Sequence, residues 1–152
     1  MSETTSYGWR RPGARDEPMQ ILDAAGEQQW FDRVATDPEF GHVSRWTRLT
    51  FTLVSGADAR SYRIDAGRLA VLETGGNAAE ESTDVVLAGA PQAWADFLAP
   101  VPPPHSNHVL AMDRRRPDFE IRAGRDQLIR HLRVLDLVLQ AMRSPEGMEA
   151  SR

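Results

Sequence analysis

The chain of 152 residues contains no cysteine and no lysine; all eighteen of its basic residues are arginine. Without thiols there are no disulfides, no thiolate nucleophile and no cysteine-ligated metal. Without lysine there is no Schiff-base chemistry. A long apolar run is missing too: the longest stretch free of formal charge, residues 97–112, is interrupted by Pro100, Pro102, Pro103 and Pro104. That excludes a membrane-spanning helix there. The start, "MSETTSYGWRRPGARDEP", lacks the apolar core of a signal peptide, so a soluble cytoplasmic protein with no stable membrane insertion is expected. A net charge of −4 lacks the basic excess of a nucleic-acid surface, and no nucleic-acid partner is expected. The glycines of "VSGADAR" and "ETGGN" fit neither a dinucleotide nor a phosphate loop, and no Gly-x-Ser-x-Gly elbow exists. No cofactor is therefore expected.

What remains has the length of one domain, which buries ~70% of its unfolded surface. Residues 1–16 are polar and rich in breakers and are expected to form a flexible arm. The domain is expected over 17–143, with a flexible tail at 144–152. In "MQILDAAGEQQWFDRVA", Met19, Leu22 and Ala25, then Trp30, Phe31 and Val34, repeat at helical spacing, and Gly26 marks a break between two helices. Asp37 and Pro38 give an N-cap and a first-turn proline for a short helix. Leu49, Phe51 and Leu53 alternate with Thr50, Thr52 and Val54 as a half-buried strand. Two more strands flank the turn Asp65-Ala66-Gly67-Arg68. A loop at 75–82, a strand in "TDVVLAG", a helix in "APQAWADFLAP" and a strand in "PDFEIRAG" follow. Trp9, Trp30, Trp46 and Trp94 are dispersed, as core anchors are. The fold class is α+β: a five-stranded sheet covered by helices, with N-terminal helices and a long C-terminal helix.

That last helix, "RDQLIRHLRVLDLVLQAMR", is unusually apolar. With Leu128 at the origin, Leu132, Leu135, Leu139 and Met142 fall within about 40° of it. Val134, Leu137, Val138 and Ala141 form a second apolar arc. One stripe suffices to pack on a sheet. The surplus either meets the N-terminal helices, meets a second subunit as in a homodimer, or lines a cavity for an apolar ligand.

The order "RLTFTLVSG", "SYRIDAGRLAVL", "STDVVLAGAPQAWADFLA" and "FEIRAGRDQLIRHLRVL" resembles the sterol carrier protein type 2 family. The residues carrying the resemblance are Asp84, Val85, Leu87, Gly89, Pro91, Trp94, Phe97 and Leu98, then Phe119, Ile121, Gly124, Leu128 and Leu132. They are packing residues, and the match as a whole spans roughly residues 37–143. The resemblance implies an apolar tunnel for fatty acyl chains, sterols, polyketides, terpenoids or similar molecules between the sheet and the C-terminal helix. It implies Trp94, Phe97, Leu98, Leu132, Leu135 and Met142 as its lining. It brings no catalytic triad and no metal set. The chain departs from the family pattern at "VPPPHSNHVLAMDRRRP", which reads as a rigid, proline-stiffened entry segment beside the cavity mouth.

Polar candidates cluster in that segment. His105 and His108 form an H-x-x-H pair with Asp113 as the nearest carboxylate; no third ligand has metal spacing, so no metal is expected. If the cavity were an enzyme site, a cyclase or isomerase, these three and His131 are the groups to move protons. His131 falls inside the apolar arc, where an imidazole needs a hydrogen-bond partner or a ligand. Arg114, Arg115 and Arg116 suit an anion, and Arg114 is taken as a head-group contact. The expected function is binding or carriage of a hydrophobic or amphipathic small molecule. An acid/base enzyme in the same shell and a non-catalytic interaction subunit are the alternatives.

Overall fold

The computed structural model describes residues 21–72 and 83–143. The expected arm, Met19, Trp9, the 75–82 loop and the 144–152 tail lie outside the described residues. Asp23 opens α1 (Ala24–Thr36): its carboxylate accepts the Gly26 N–H at 2.7 Å. Gly26 therefore sits in the first turn of one helix and breaks nothing, correcting the expectation of a division there. Asp37 caps α2 (Pro38–Val43) in the same way, accepting from the Glu39 N–H at 2.9 Å, with Pro38 in the first turn as its spacing predicts.

The sheet comprises β1 (Arg48–Ser55), β2 (Asp58–Asp65), β3 (Arg68–Val71), β4 (Val85–Gly89) and β5 (Phe119–Ala123), in the order β3-β2-β1-β4-β5. β1 and β4 are parallel; the other pairs are antiparallel. The β2–β3 turn forms where expected, with Ala66 and Gly67 at φ of 51° and 87°. β1 is central, and this corrects its half-buried reading. Leu49, Phe51 and Leu53 enter the main core, while Val54 joins Val86 and Ala88 in a smaller cluster on the opposite face. Thr52 is buried on that second face and keeps hydroxyl partners at 2.7 Å in Ser61 and Thr83. Asp84 fixes the start of the parallel pair. Its carboxylate accepts the Thr50 N–H at 3.0 Å, and its own N–H donates to the Thr50 carbonyl at 3.1 Å.

The helices α3 (Pro91–Leu98), α4 (Val109–Arg115), α5 (Arg125–Arg130) and α6 (Leu132–Gln140) complete the described elements. Two of them correct the sequence reading. The entry segment is not merely an extended connection: it contains α4, held inward by buried Val109 and Met112. The expected long terminal helix is two helices with a bend at His131, whose ψ is 29°. The His131 N–H still reaches the Gln127 carbonyl, and the Leu135 N–H reaches the His131 carbonyl, both at 3.0 Å. The bend keeps His131 half-buried at a helix junction instead of inside the apolar arc.

Part of the apolar surplus of α6 is used against the N-terminal helices. The Trp30 indole N–H donates to the Val138 carbonyl at 2.8 Å, wholly buried. Arg33 donates to the Ala141 carbonyl at 2.7 Å, satisfying an end of α6 that has no helical partner. Glu39 on α2 pairs with Arg133 on α6. The other end of α1 is clamped to β2, since the Glu27 carboxylate accepts from Arg60 at 2.6 and 2.8 Å and from the Tyr62 hydroxyl at 2.7 Å. Burial raises the Glu27 pKa, but Arg60 and Tyr62 outweigh it and the carboxyl ends below its ordinary range. Trp46 does not anchor the core: it is 86% exposed, with the Arg45 guanidinium 5.6 Å from its ring. Among the described residues no helix is long and apolar enough to cross a membrane.

Gly124 joins β5 to α5 with a φ of +81°, and a Cβ there would stand 1.9 Å from the Asp84 carbonyl oxygen. Both the left-handed backbone and the contact forbid a side chain. Gly124→Ala is expected to lower the unfolding free energy by about 3 kcal/mol. Chemical denaturation of the two proteins measures this, and an unchanged midpoint would contradict the packing described.

Candidate functional site

The end of the sheet where β4 meets α3 is built around a missing side chain. A Cβ on Gly89 would stand 2.9 Å from the Phe119 ring and 3.2 Å from the Trp94 indole nitrogen. With no Cβ present, Phe119 and Trp94 pack edge to face, their centroids 5.4 Å apart. The Trp94 N–H donates to the Val54 carbonyl at 2.8 Å, and Trp94 meets Phe97 edge to face at 5.9 Å. Outside this corner lies a cleft of about 920 Å³. Val54 and Ala88 supply sheet residues, Pro91 and Gln92 the start of α3, and Phe119, Glu120 and Arg122 residues of the edge strand. Phe119 belongs to both, lining the cleft and touching Trp94.

The residues implied as a tunnel lining come together. Trp94, Phe97, Leu135 and Met142 are buried in the main core, and Leu98 and Leu132 are half-buried against it. The Phe97 ring lies 4.6 Å from the Arg143 guanidinium, which also donates to the Phe97 carbonyl at 2.7 Å. Burial holds the Arg143 pKa below its usual value despite Asp136 nearby. Arg114 is not with this group. It is exposed on α4, where it lines a second cleft of about 410 Å³ with His105, His108, Leu110, Ala111 and Arg115.

Two polar candidates in the insert, His108 and Asp113, are held by structural partners. His108 is the N-cap of α4: its Nδ1 accepts the Leu110 N–H at 3.1 Å, and its Nε2 lies 3.2 Å from Asp136. That arrangement makes Nε2 the protonated nitrogen and leaves no ring lone pair for a substrate. Asp113 accepts the Ile121 N–H at 2.9 Å and pairs with Arg125. It thereby covers a backbone donor of the edge strand. Burial raises the Asp113 pKa, but Arg125, the Ile121 N–H and Arg114 together bring it below the ordinary carboxylate range. An ionised, paired carboxylate is poorly suited to give a proton. His105 is exposed at a φ of 66°, and His131 sits at the helix bend. Among the described residues no group of three or more histidine, aspartate or glutamate side chains is placed to hold a metal.

Comparison with known proteins places this geometry. No family model matches the chain, and no curated protein matches it. Two solved structures do. One is sterol carrier protein 2, with a TM-score of 0.59 at 14% identity, covering 82% of this chain and 98% of that one. The fold is that of sterol carrier protein 2. The other is a conserved hypothetical protein from Thermus thermophilus, described as a possible sterol carrier protein. It has a TM-score of 0.57 at 16% identity and covers 84% of this chain and 92% of that one.

Within this sterol carrier fold, the residue that sequence reasoning misjudged most is Arg116. Grouped with its neighbours as an anion grip, it is instead an internal hub. Its guanidinium donates to Asp96 at 2.8 Å, to Asp118 at 2.8 and 3.0 Å, and to the buried Ser106 hydroxyl at 2.7 Å. One side chain thus ties the proline-rich segment to α3 and to the turn before β5. No sequence signal separates it from Arg114 and Arg115; only the aspartates at 96 and 118 hint at a partner.

Hydrogen bonding to Arg116 holds the Asp96 and Asp118 carboxyls below their ordinary range. Carboxyls lowered by folding stabilise the protein above their unfolded pKa, and that contribution is lost as pH falls through the folded values. Arg116→Met is expected to cost about 1–2 kcal/mol at pH 7. The difference between variant and wild type should shrink as pH is lowered below about 4. Thermal unfolding across pH 2–7 checks both, and a gap that widens on acidification would overturn the assignment.

Proposed function

We propose that the protein binds an apolar or amphipathic small molecule between the sheet and α6. The observation that carries this reading is the aromatic wall Phe119–Trp94–Phe97. Its rings pack on one another within the core that holds Leu135 and Met142, and Phe119 also borders the 920 Å³ cleft. An acyl, sterol, polyketide or terpenoid-like guest moving along that wall replaces contacts between side chains by contacts with itself. Each methylene it removes from water contributes ~0.8 kcal/mol. Leu98 and Leu132 are half-buried against the same core. The likeness to sterol carrier protein 2 supports this reading through the fold. Arg114 lines the other cleft.

Extraction of purified protein followed by mass spectrometry should yield a bound lipid-like molecule. A fluorescent fatty acid should bind saturably and be displaced by unlabelled ligand. Leu98→Asp puts a charge at the half-buried edge of the path, and affinity should fall at least tenfold with an unchanged circular dichroism spectrum. Absence of both extracted ligand and saturable binding would sink the proposal.

A further inference from the structure

We infer that the smaller cleft is a binding site for a phosphate monoester carrying a short apolar neck, with Arg114 and Arg115 as its anion-binding groups. Three neighbouring arginines here have different fates. Arg116 is consumed by Asp96, Asp118 and Ser106. Arg114 and Arg115 form no hydrogen bond or ion pair among the described residues, and both are exposed on the wall of the 410 Å³ cleft. The one carboxylate beside them, Asp113, is already paired with Arg125.

The apolar half of the site follows from helix geometry. Leu110 and Arg114, and Ala111 and Arg115, are each four residues apart on α4, so each guanidinium stands one turn beyond an apolar side chain on the same face. All four residues line the cleft. A ligand with an anionic head and a few methylenes would meet the two in that order. Two adjacent guanidiniums favour a doubly charged phosphate with three terminal oxygens over a singly charged carboxylate.

The remaining wall is held in place before any ligand arrives. His105 occupies the third position of a tight turn closed by the Ser106 N–H and the Pro103 carbonyl at 3.0 Å, with φ at 66°. A residue other than glycine in that region is strained, and the surroundings must hold it there. They do so through Ser106, whose hydroxyl is bonded to Arg116. His108 is fixed on both ring nitrogens by Leu110 and Asp136. The structural arginine of the triplet thus positions a loop against which the two exposed arginines work. The site shares no lining residue with the larger cleft and does not depend on the interior reading.

Isothermal titration calorimetry at low ionic strength, with inorganic phosphate and butyl phosphate as probes, tests the site on the full chain. Wild type should bind both saturably, butyl phosphate at least tenfold more tightly. The double variant R114A/R115A should lose at least tenfold affinity for both. Leu110→Ser should remove the butyl advantage alone. Arg130→Ala, an exposed arginine outside the cleft, is the charge control and should change nothing. Thermal melts establish that each variant is folded. Co-sedimentation with phosphatidic-acid vesicles, against phosphatidylcholine vesicles, distinguishes the two sources of the phosphate. Sedimentation that depends on Arg114 and Arg115 assigns it to a lipid head group; binding of soluble ester without sedimentation assigns it to a free metabolite-like ester. No saturable phosphate binding, an unaffected double variant, or an equal loss in Arg130→Ala would each overturn the inference.

Discussion

The close approach at Gly89 is the constraint on which the working end of this molecule rests. A strand residue with no Cβ lets an aromatic ring from the edge strand and an indole from α3 occupy the same space above the sheet. From that one vacancy follows the edge-to-face stack of Phe119 and Trp94, and the indole hydrogen bond that reaches across β4 to the Val54 carbonyl on β1. Any side chain at position 89 would push α3 away from the sheet. The cleft, the aromatic wall and the burial of Phe97 all follow from α3 being where it is.

The other residues of the diffuse family-like pattern serve the same purpose at other corners. Asp84 exchanges hydrogen bonds with Thr50 and begins the parallel pair. Pro91 starts α3 immediately after the strand, where its missing N–H costs nothing. Gly124 lets the chain turn from β5 into α5 across the Asp84–Val85 backbone. These are junction residues, which explains how a chain 14–16% identical to its structural neighbours keeps their fold.

The fold was readable because it is written in local rules. The Asp37–Pro38 start, the alternation of Leu49, Phe51 and Leu53, and the Asp65–Arg68 turn each depend on a few adjacent residues, and each formed as expected. Failures came where the deciding partner is distant. A helical wheel assumes an unbroken helix, so it placed His131 in an apolar arc that the bend takes apart. Trp46 looks like any core tryptophan until the surrounding strands are in place. The α4 segment is seven residues long, too short for periodicity to reveal beside four prolines. Candidate site residues divided likewise. The apolar group converged because hydrophobic burial is non-directional, so a residue-type pattern suffices to predict it. Of the polar group, His105, His108, Arg114 and Arg115 share the smaller cleft, while Asp113 and Arg116 are held by Arg125, Asp96 and Asp118, partners the sequence pattern does not mark.

The same division describes how the insert is held. Arg116 is bound to Asp96 on α3 and to Asp118 before β5, so the insert is fastened by residues near the Gly89 corner rather than by its own length. Once fastened, α4 is secured by buried Val109 and Met112, by half-buried Leu110 packed against the same core, and by the bond of Asp113 to the Ile121 N–H. Arg114 and Arg115 are exposed on its cleft side, beside Ala111. A short helix with a committed inner face and an uncommitted outer face accepts new side chains at little cost to stability, because substitutions away from packed or hydrogen-bonded groups usually change it by less than about 0.5 kcal/mol. The exposed side chains of α4 can therefore change while the sheet, the aromatic corner and the interior stay as they are.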